Sequence, residues 1–295
     1  MHISKVLTWL RFFLGATFVF SAVSKLLTVG LFEIAIVEQG IFSVREAAAY
    51  PARLLIALEL FIGFALFLPF YLKHAILPLA ILLLLAFTGL QAYQLTLGEA
   101  SSDCGCFGEV VPMSSAESLA KNLMLLVAGL FIFTRLETKK RGVPFLSGLA
   151  LASLLVVLLI APVRSVADET FIHFTQFQGA GRVDLADGDK LVAIFNADCE
   201  HCQAAAIELR ELLSTNGNLP QVYVLMFAED SSAIETFFDI TNTRFPFHKI
   251  SEDEFFDLIG NSPPRLYWLR NGRMEAKWDE KIVEYISASF GTGKS

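Results

Sequence analysis

The chain has 295 residues, 54% of them hydrophobic and 12% aromatic, with a formal net charge of −7. Residues 1–163 carry a net +2 and residues 164–295 a net −9, so two domains in two different solvents are expected. The acidic half argues against a nucleic-acid partner, which needs a positive field facing the phosphates.

A membrane-crossing helix needs about 20 mostly apolar residues. Residues 12–27 form a first candidate, with Lys25 near its outer end. That lysine is expected to snorkel to the interface. The segment lacks a small-residue cleavage site, so it reads as a retained helix and not a signal peptide. Residues 31–49 are too short and too charged to cross, and Phe32, Ile36 and Phe42 mark them as an interfacial helix. Tyr50-Pro51 then opens a second span over residues 54–72, since proline is tolerated at a helix start. This span holds one charge, Glu59. An ionisable group within a span is a functional candidate. Pairing with Arg53 is one reading of Glu59, and a proton or quinone role is the other.

Residues 75–97 and 143–163 are uncharged runs and form the third and fifth spans. The fourth, residues 116–134, keeps Glu117 and Lys121 in its first turns. Basic residues set orientation. With a cytoplasmic N-terminus, Lys5, Arg11, Lys73, Arg135, Lys139, Lys140 and Arg141 all face the cytosol. Glu33, Glu38, Glu46, Glu99, Asp103 and Glu109 then face outward, with Arg45 the exception. Five spans place the acidic C-terminal domain outside the bilayer, which fits a multi-pass protein of a bacterial inner membrane.

Beyond residue 190 the pattern changes to short alternating elements. K-L-V-A-I-F (190–195) is an apolar strand, and residues 199–213 have helical spacing. Q-V-Y-V-L-M-F (221–227) is a second buried strand, followed by a serine-capped helix over 231–240. Residues 265–269 and 273–278 flank Asn271-Gly272 as a hairpin. A helix over 279–289 closes the domain.

The four cysteines form two close pairs, Cys104/Cys106 and Cys199/Cys202. Four are too few for a disulfide-built scaffold, and the pairing points to redox or metal chemistry. The thiolate is the reactive species. Cys199 stands where a helix begins, so free N–H groups and the helix dipole favour its charge. Protonated His201 would add to this, while Asp198 and Glu200 oppose it. Cys199 is assigned as the attacking sulfur and Cys202, one turn inside, as the resolving one. A structural disulfide or half of a zinc site are the alternatives, although zinc usually takes four ligands. Cys104 and Cys106, with Gly105 between them, can bond only through a small strained ring. Strained disulfides are more oxidising, so this pair is expected to accept electrons from Cys199/Cys202. A fixed loop or soft-metal ligation remain open.

A strand, C-E-H-C opening a helix, and a late proline before a hairpin resemble the thioredoxin fold over residues 171–290. That resemblance implies that the Pro263–Pro264 bond is cis and that Pro264 faces the cysteine pair. It also exposes departures: Asp198 replaces the usual aromatic residue before the first cysteine, and Ala193 stands where many relatives bury an acid. Proton handling would then fall to Glu200 or His201. Helix 1, R-F-F-L-G-A-T-F-V-F-S-A-V-S-K-L, resembles the DoxX-type membrane family, and the C-G-C-F-G loop is similar to its MauE branch (methylamine utilisation). This implies a four-helix bundle over 1–136, a linker and fifth span over 137–169, and a thioredoxin-like domain over 170–295. MauE-type proteins work with a separate thioredoxin-like partner, MauD, in maturing disulfide-rich exported enzymes. The chain resembles both functions fused. The expected activity is thiol–disulfide exchange with cysteines of exported proteins, with a membrane quinone as the candidate electron acceptor. Disulfide reduction or isomerisation, or a non-enzymatic anchored binding domain, are the alternatives.

Overall fold

The computed structural model describes residues 2–96, 115–136, 143–163, 168–217, 219–279 and 281–290. The chain divides into two compact units, Met1–Val163 and Arg164–Ser295.

In the first unit the helices are α1 (His2–Leu27), α2 (Val29–Glu38), α3 (Arg45–Phe67), α4 (Leu77–Thr96), α5 (Ser115–Arg135) and α6 (Val143–Ile160). A π-helical turn, Leu72–Ile76, leads into α4. Among the described residues five helices are long and apolar enough to cross a membrane: Lys5–Leu27, Arg45–Phe67, Leu72–Tyr93, Ala116–Arg135 and Val143–Ile160. Large side chains such as Trp9, Leu82, Met124 and Leu159 point outward from these helices. That pattern is costly in water and favourable in lipid. The unit is a helical membrane bundle, and the chain is a multi-pass membrane protein.

Helices α1 and α3 cross closely. A Cβ added at Gly63 would stand 2.8 Å from the backbone nitrogen of Val19, and one at Gly15 would stand 2.9 Å from the Gly63 carbonyl. Small residues let backbones approach where lipid supplies no hydrophobic drive between helices. Helix α6 packs against the α3 side, where Val157 joins the cluster of Ala48, Ala52 and Ile56.

Two expectations for this unit are corrected. The second span does not open at Pro51, because α3 begins at Arg45 and Pro51 lies inside it. Proline removes one helical bond, but ion pairing offsets that loss. Arg45 Nε donates to Glu33 Oε2 at 2.6 Å, and Arg53 Nη1 donates to Glu33 Oε1. The cluster ties the first turns of α3 to α2. The helix expected over residues 31–49 runs instead from Val29 to Glu38. Arg53 also donates from Nε to the Ala161 carbonyl at 2.7 Å and from Nη2 to that of Pro162 at 3.2 Å, fastening the end of α6. It therefore serves Glu33 and α6.

The second unit is an α/β domain. A five-stranded sheet runs in the order β5-β4-β3-β6-β7. Its members are β3 (Asp189–Asn196), β4 (Gln221–Phe227), β5 (Phe247–Lys249), β6 (Arg265–Arg270) and β7 (Arg273–Trp278). Central β3 is parallel to β4 and antiparallel to β6, so that Val192 faces Tyr223 on one side and Tyr267 on the other. A short ribbon, β1 (Gln176–Phe177) with β2 (Gly181–Arg182), precedes the sheet. Asn271 and Gly272 both have positive φ, the geometry of the tight hairpin turn between β6 and β7.

Alternation along β3 sends Leu191, Ala193 and Phe195 to one face. There they meet helices α7 (Glu200–Thr215), α8 (Ser231–Thr241) and α10 (Ile282–Phe290) through Leu209, Phe237 and Ile286. On the other face Tyr267 packs on Phe171 and donates its hydroxyl to the carbonyl of Leu258, at the end of α9 (Glu252–Leu258). The cap of α8 is Asp230, which accepts from Ser232 N, and not a serine as expected. A carboxylate at this position adds charge to the capping bond. Strand order, the α7 crossover and the cis bond before β6 make this domain thioredoxin-like.

Candidate functional site

Strand β3 ends at Asn196, whose side chain accepts from Asp198 N at 2.9 Å and whose carbonyl accepts from Cys199 N at 3.2 Å. This turn delivers Cys199 to the N-cap of α7 with extended backbone and no capping bond from its side chain. The first N–H groups of the helix are thereby turned towards the sulfur.

The two thiols are unequal. Cys199 is half-buried, whereas Cys202 is fully buried in the core with Phe195 and Ala206. Both are free thiols in this structure. The Asn196 N–H points at Cys202 Sγ from 3.4 Å. The Cys199 thiol is pulled down from an ordinary 9.0 to about 6. The leading cause is the hydrogen bond from Cys202, which outweighs partial burial. The backbone N–H groups of Cys202 and His201 add to it, as does the His201 charge. Burial first, then the neighbouring Cys199 sulfur, push the Cys202 thiol strongly up. One sulfur is ionised near neutral pH and the other stays protonated, which is the division that thiol exchange requires.

Pro264 is buried, follows a cis bond and stands immediately before β6. The last paired residues of β3 and β6 are Ile194 and Arg265, so Pro264 lies beside Phe195, four residues before Cys199. Sequence reasoning missed its neighbour Arg265. This guanidinium is 3% exposed and grips Asp279 with two bonds, at 2.5 and 2.8 Å. Gly260 packs directly on that pair and leaves no room for a Cβ.

In the bundle, Glu59 and Lys25 are each only 1% exposed. Lys25 Nζ donates to both Glu59 oxygens, at 2.7 and 2.9 Å, and to Ser21 Oγ at 2.8 Å. The expected snorkelling of Lys25 and the pairing of Glu59 with Arg53 are therefore both corrected. An antiparallel neighbour carrying the opposite charge is a better partner than the interface. One cation and one anion on adjacent spans was the signal available in the sequence. A neutral chain lies nearby, in which Asn122 Nδ2 donates to Gln91 Oε1 and Gln91 Nε2 donates to Ser118 Oγ. Cys104 and Cys106 lie outside the described residues. Among the described residues no group of three or more His, Cys, Asp or Glu is placed to hold a metal ion.

Residues 3–135 match the family described as methylamine utilisation protein MauE. Protein TlpB of Flavobacterium psychrophilum is 25% identical over 89% of this chain and 88% of its own length. A solved structure of a secreted Mycobacterium tuberculosis disulfide oxidoreductase, described as homologous to E. coli DsbE, covers 41% of this chain and 99% of its own. It does so at 14% identity with a TM-score of 0.34. The first of these matches bears out the resemblance read from the opening helix and the C-G-C-F-G loop: residues 3–135 are similar to the MauE family.

Proposed function

We propose that this chain is a membrane-bound thiol–disulfide oxidoreductase that forms disulfides in exported proteins. The observation that carries the reading is the inequality of Cys199 and Cys202 at the head of α7. A substrate thiolate attacks Cys199 Sγ of the Cys199–Cys202 disulfide, and Cys202 leaves and takes up a proton, through Glu200 or His201. The second substrate thiolate then attacks the mixed disulfide at the substrate sulfur. Cys199 leaves as a thiolate, favoured by its low pKa. The substrate gains a disulfide, and its two electrons rest on the Cys199/Cys202 dithiol.

In this proposal the Cys104–Cys106 disulfide takes those electrons by a second exchange, and a membrane quinone is the final acceptor. Pro264 shapes the surface against which the substrate docks. The basic residues of the short loops support placing the cysteine pairs outside the cytosol. The same Cys199 thiolate would also serve a reductase or isomerase, so the resting state decides direction. A Cys199/Cys202 pair found oxidised in cells favours disulfide formation, and one found reduced favours the reverse.

The test is Cys202→Ala: Cys199 of this variant enters a mixed disulfide by attacking a disulfide of the substrate, and no Cys202 thiol is present to release it. Adducts that disappear on reduction and on Cys199→Ser are expected. Absence of adducts, with normal biological activity of Cys199→Ala/Cys202→Ala, would instead support a non-enzymatic anchored binding domain.

A further inference from the structure

We propose that Arg265 is a positioning residue for thiol exchange, holding the loop of residues 259–264 where a substrate chain lies beside Cys199. This deepens the oxidoreductase reading and rests on it. Strands β3 and β6 are antiparallel, and their pairing ends at Ile194 and Arg265. The exit of β3, which leads into Cys199, and the entry of β6, which follows the loop, therefore share one end of the sheet. The loop belongs to no helix or strand, so side chains must set its shape.

Three contacts do so. Tyr267, fully buried, donates its hydroxyl to the Leu258 carbonyl at 2.5 Å, just before the loop. Arg265, just after it, donates from Nε and Nη2 to the two oxygens of Asp279 and from Nη1 to Tyr267 Oη at 3.4 Å. Gly260, inside the loop, lies against the guanidinium and the carboxylate together. Ile259, Gly260 and Pro264 are thereby buried, and Asn261, Ser262 and Pro263 form an outward tip with Ser262 exposed.

The charge of this clasp points to placement. A buried ion pair is weak evidence for stability, since apolar side chains of similar volume often do as well. What an arginine–carboxylate fork adds is geometry, because two parallel bonds fix both groups. Asp279 directly follows β7, so the fork ties the loop to the sheet and not to α9 alone. Thiol exchange needs the attacking sulfur aligned about 3–3.5 Å from its target, and a misplacement of about 1 Å costs up to a hundredfold in rate. A peptide that lies on the loop inherits any error in the loop's position. A small thiol reaches Cys199 without it.

The full chain in lipid nanodiscs, with the Cys199–Cys202 bond formed, is mixed with excess of a short peptide carrying two cysteines or with dithiothreitol. In each case two probe thiols become one disulfide and the Cys199–Cys202 bond opens to two thiols. Alkylation of the opened pair, read by mass, gives the rate. Asp279→Ala should slow the peptide about tenfold and hold dithiothreitol within about twofold. Asp279→Asn has the same shape and keeps one acceptor oxygen, so it should slow the peptide only about threefold. Gly260→Ala drives a methyl against the fork without deleting either charge, and should reproduce the Asp279→Ala result. The pH midpoint of Cys199 alkylation should stay near 6 in all three variants. Rates that fall equally for peptide and dithiothreitol overturn the role of Arg265 and leave the oxidoreductase reading standing. So does a peptide rate unchanged in Asp279→Ala and Gly260→Ala. A native chain that exchanges with neither thiol overturns both.

Discussion

Both units bury a pair of reactive groups, and they treat the two members in opposite ways. In the membrane bundle Lys25 and Glu59 are equally buried and cancel each other. In the thioredoxin-like domain Cys199 and Cys202 are one chemical type, yet one is half-buried and ionisable while the other is sealed and protonated. The solvents explain the contrast. In lipid a lone charge finds no partner but another side chain, so matched pairs are selected. At a water-facing helix start, unequal burial is enough to separate two thiols by function.

Breaking the bundle's match should have the largest effect. Glu59→Leu alone leaves a buried ammonium unpaired and should cost about 3–5 kcal/mol. Lys25→Met/Glu59→Leu should recover most of it. Thermal unfolding in detergent measures both, and equal losses in the two variants would break the comparison. In the soluble unit Asp279→Ala removes the two bonds that the buried Arg265 makes to it and should cost about 2–3 kcal/mol in denaturant unfolding of the chain. Gly63→Ala drives a methyl into the backbone of α1 and should cost about 2 kcal/mol by the same thermal assay. Asp230→Ala removes the α8 cap and should cost about 1 kcal/mol.

The Cys199 shift has a sign in stability as well. Its folded pKa of about 6 lies below the ordinary 9.0. Ionisation of Cys199 therefore contributes stability that is fully present above pH 9 and is lost as pH falls through about 6. Denaturant midpoints of the dithiol form should rise over that window, and Cys199→Ser should flatten the rise.

What the sequence disclosed follows from how local each signal is. The spans at 75–97 and 143–163 stood out because a helix of that length with no charged face has no side to turn towards water. C-E-H-C between a strand and a helix was legible because its chemistry sits within four residues. The start of α3 was misread because a local rule about Pro51 competed with Glu33, which lies twelve residues before Arg45. Lys25 was misread for the same reason, its partner being 34 residues away. Strand β5 and helix α9 were missed because three and seven residues are too short for periodicity to register. The Ser251–Glu254 capping box was nevertheless readable. The Arg265–Asp279 grip left no pattern, since neither residue belongs to a motif.

The most direct measurement is the rate of Cys199 alkylation by iodoacetamide against pH, on the reduced full chain, with the modified cysteine identified by mass. Cys199 should react with a midpoint near pH 6 while Cys202 stays unmodified. A midpoint near 9, or faster modification of Cys202, would contradict the division of labour between the two sulfurs.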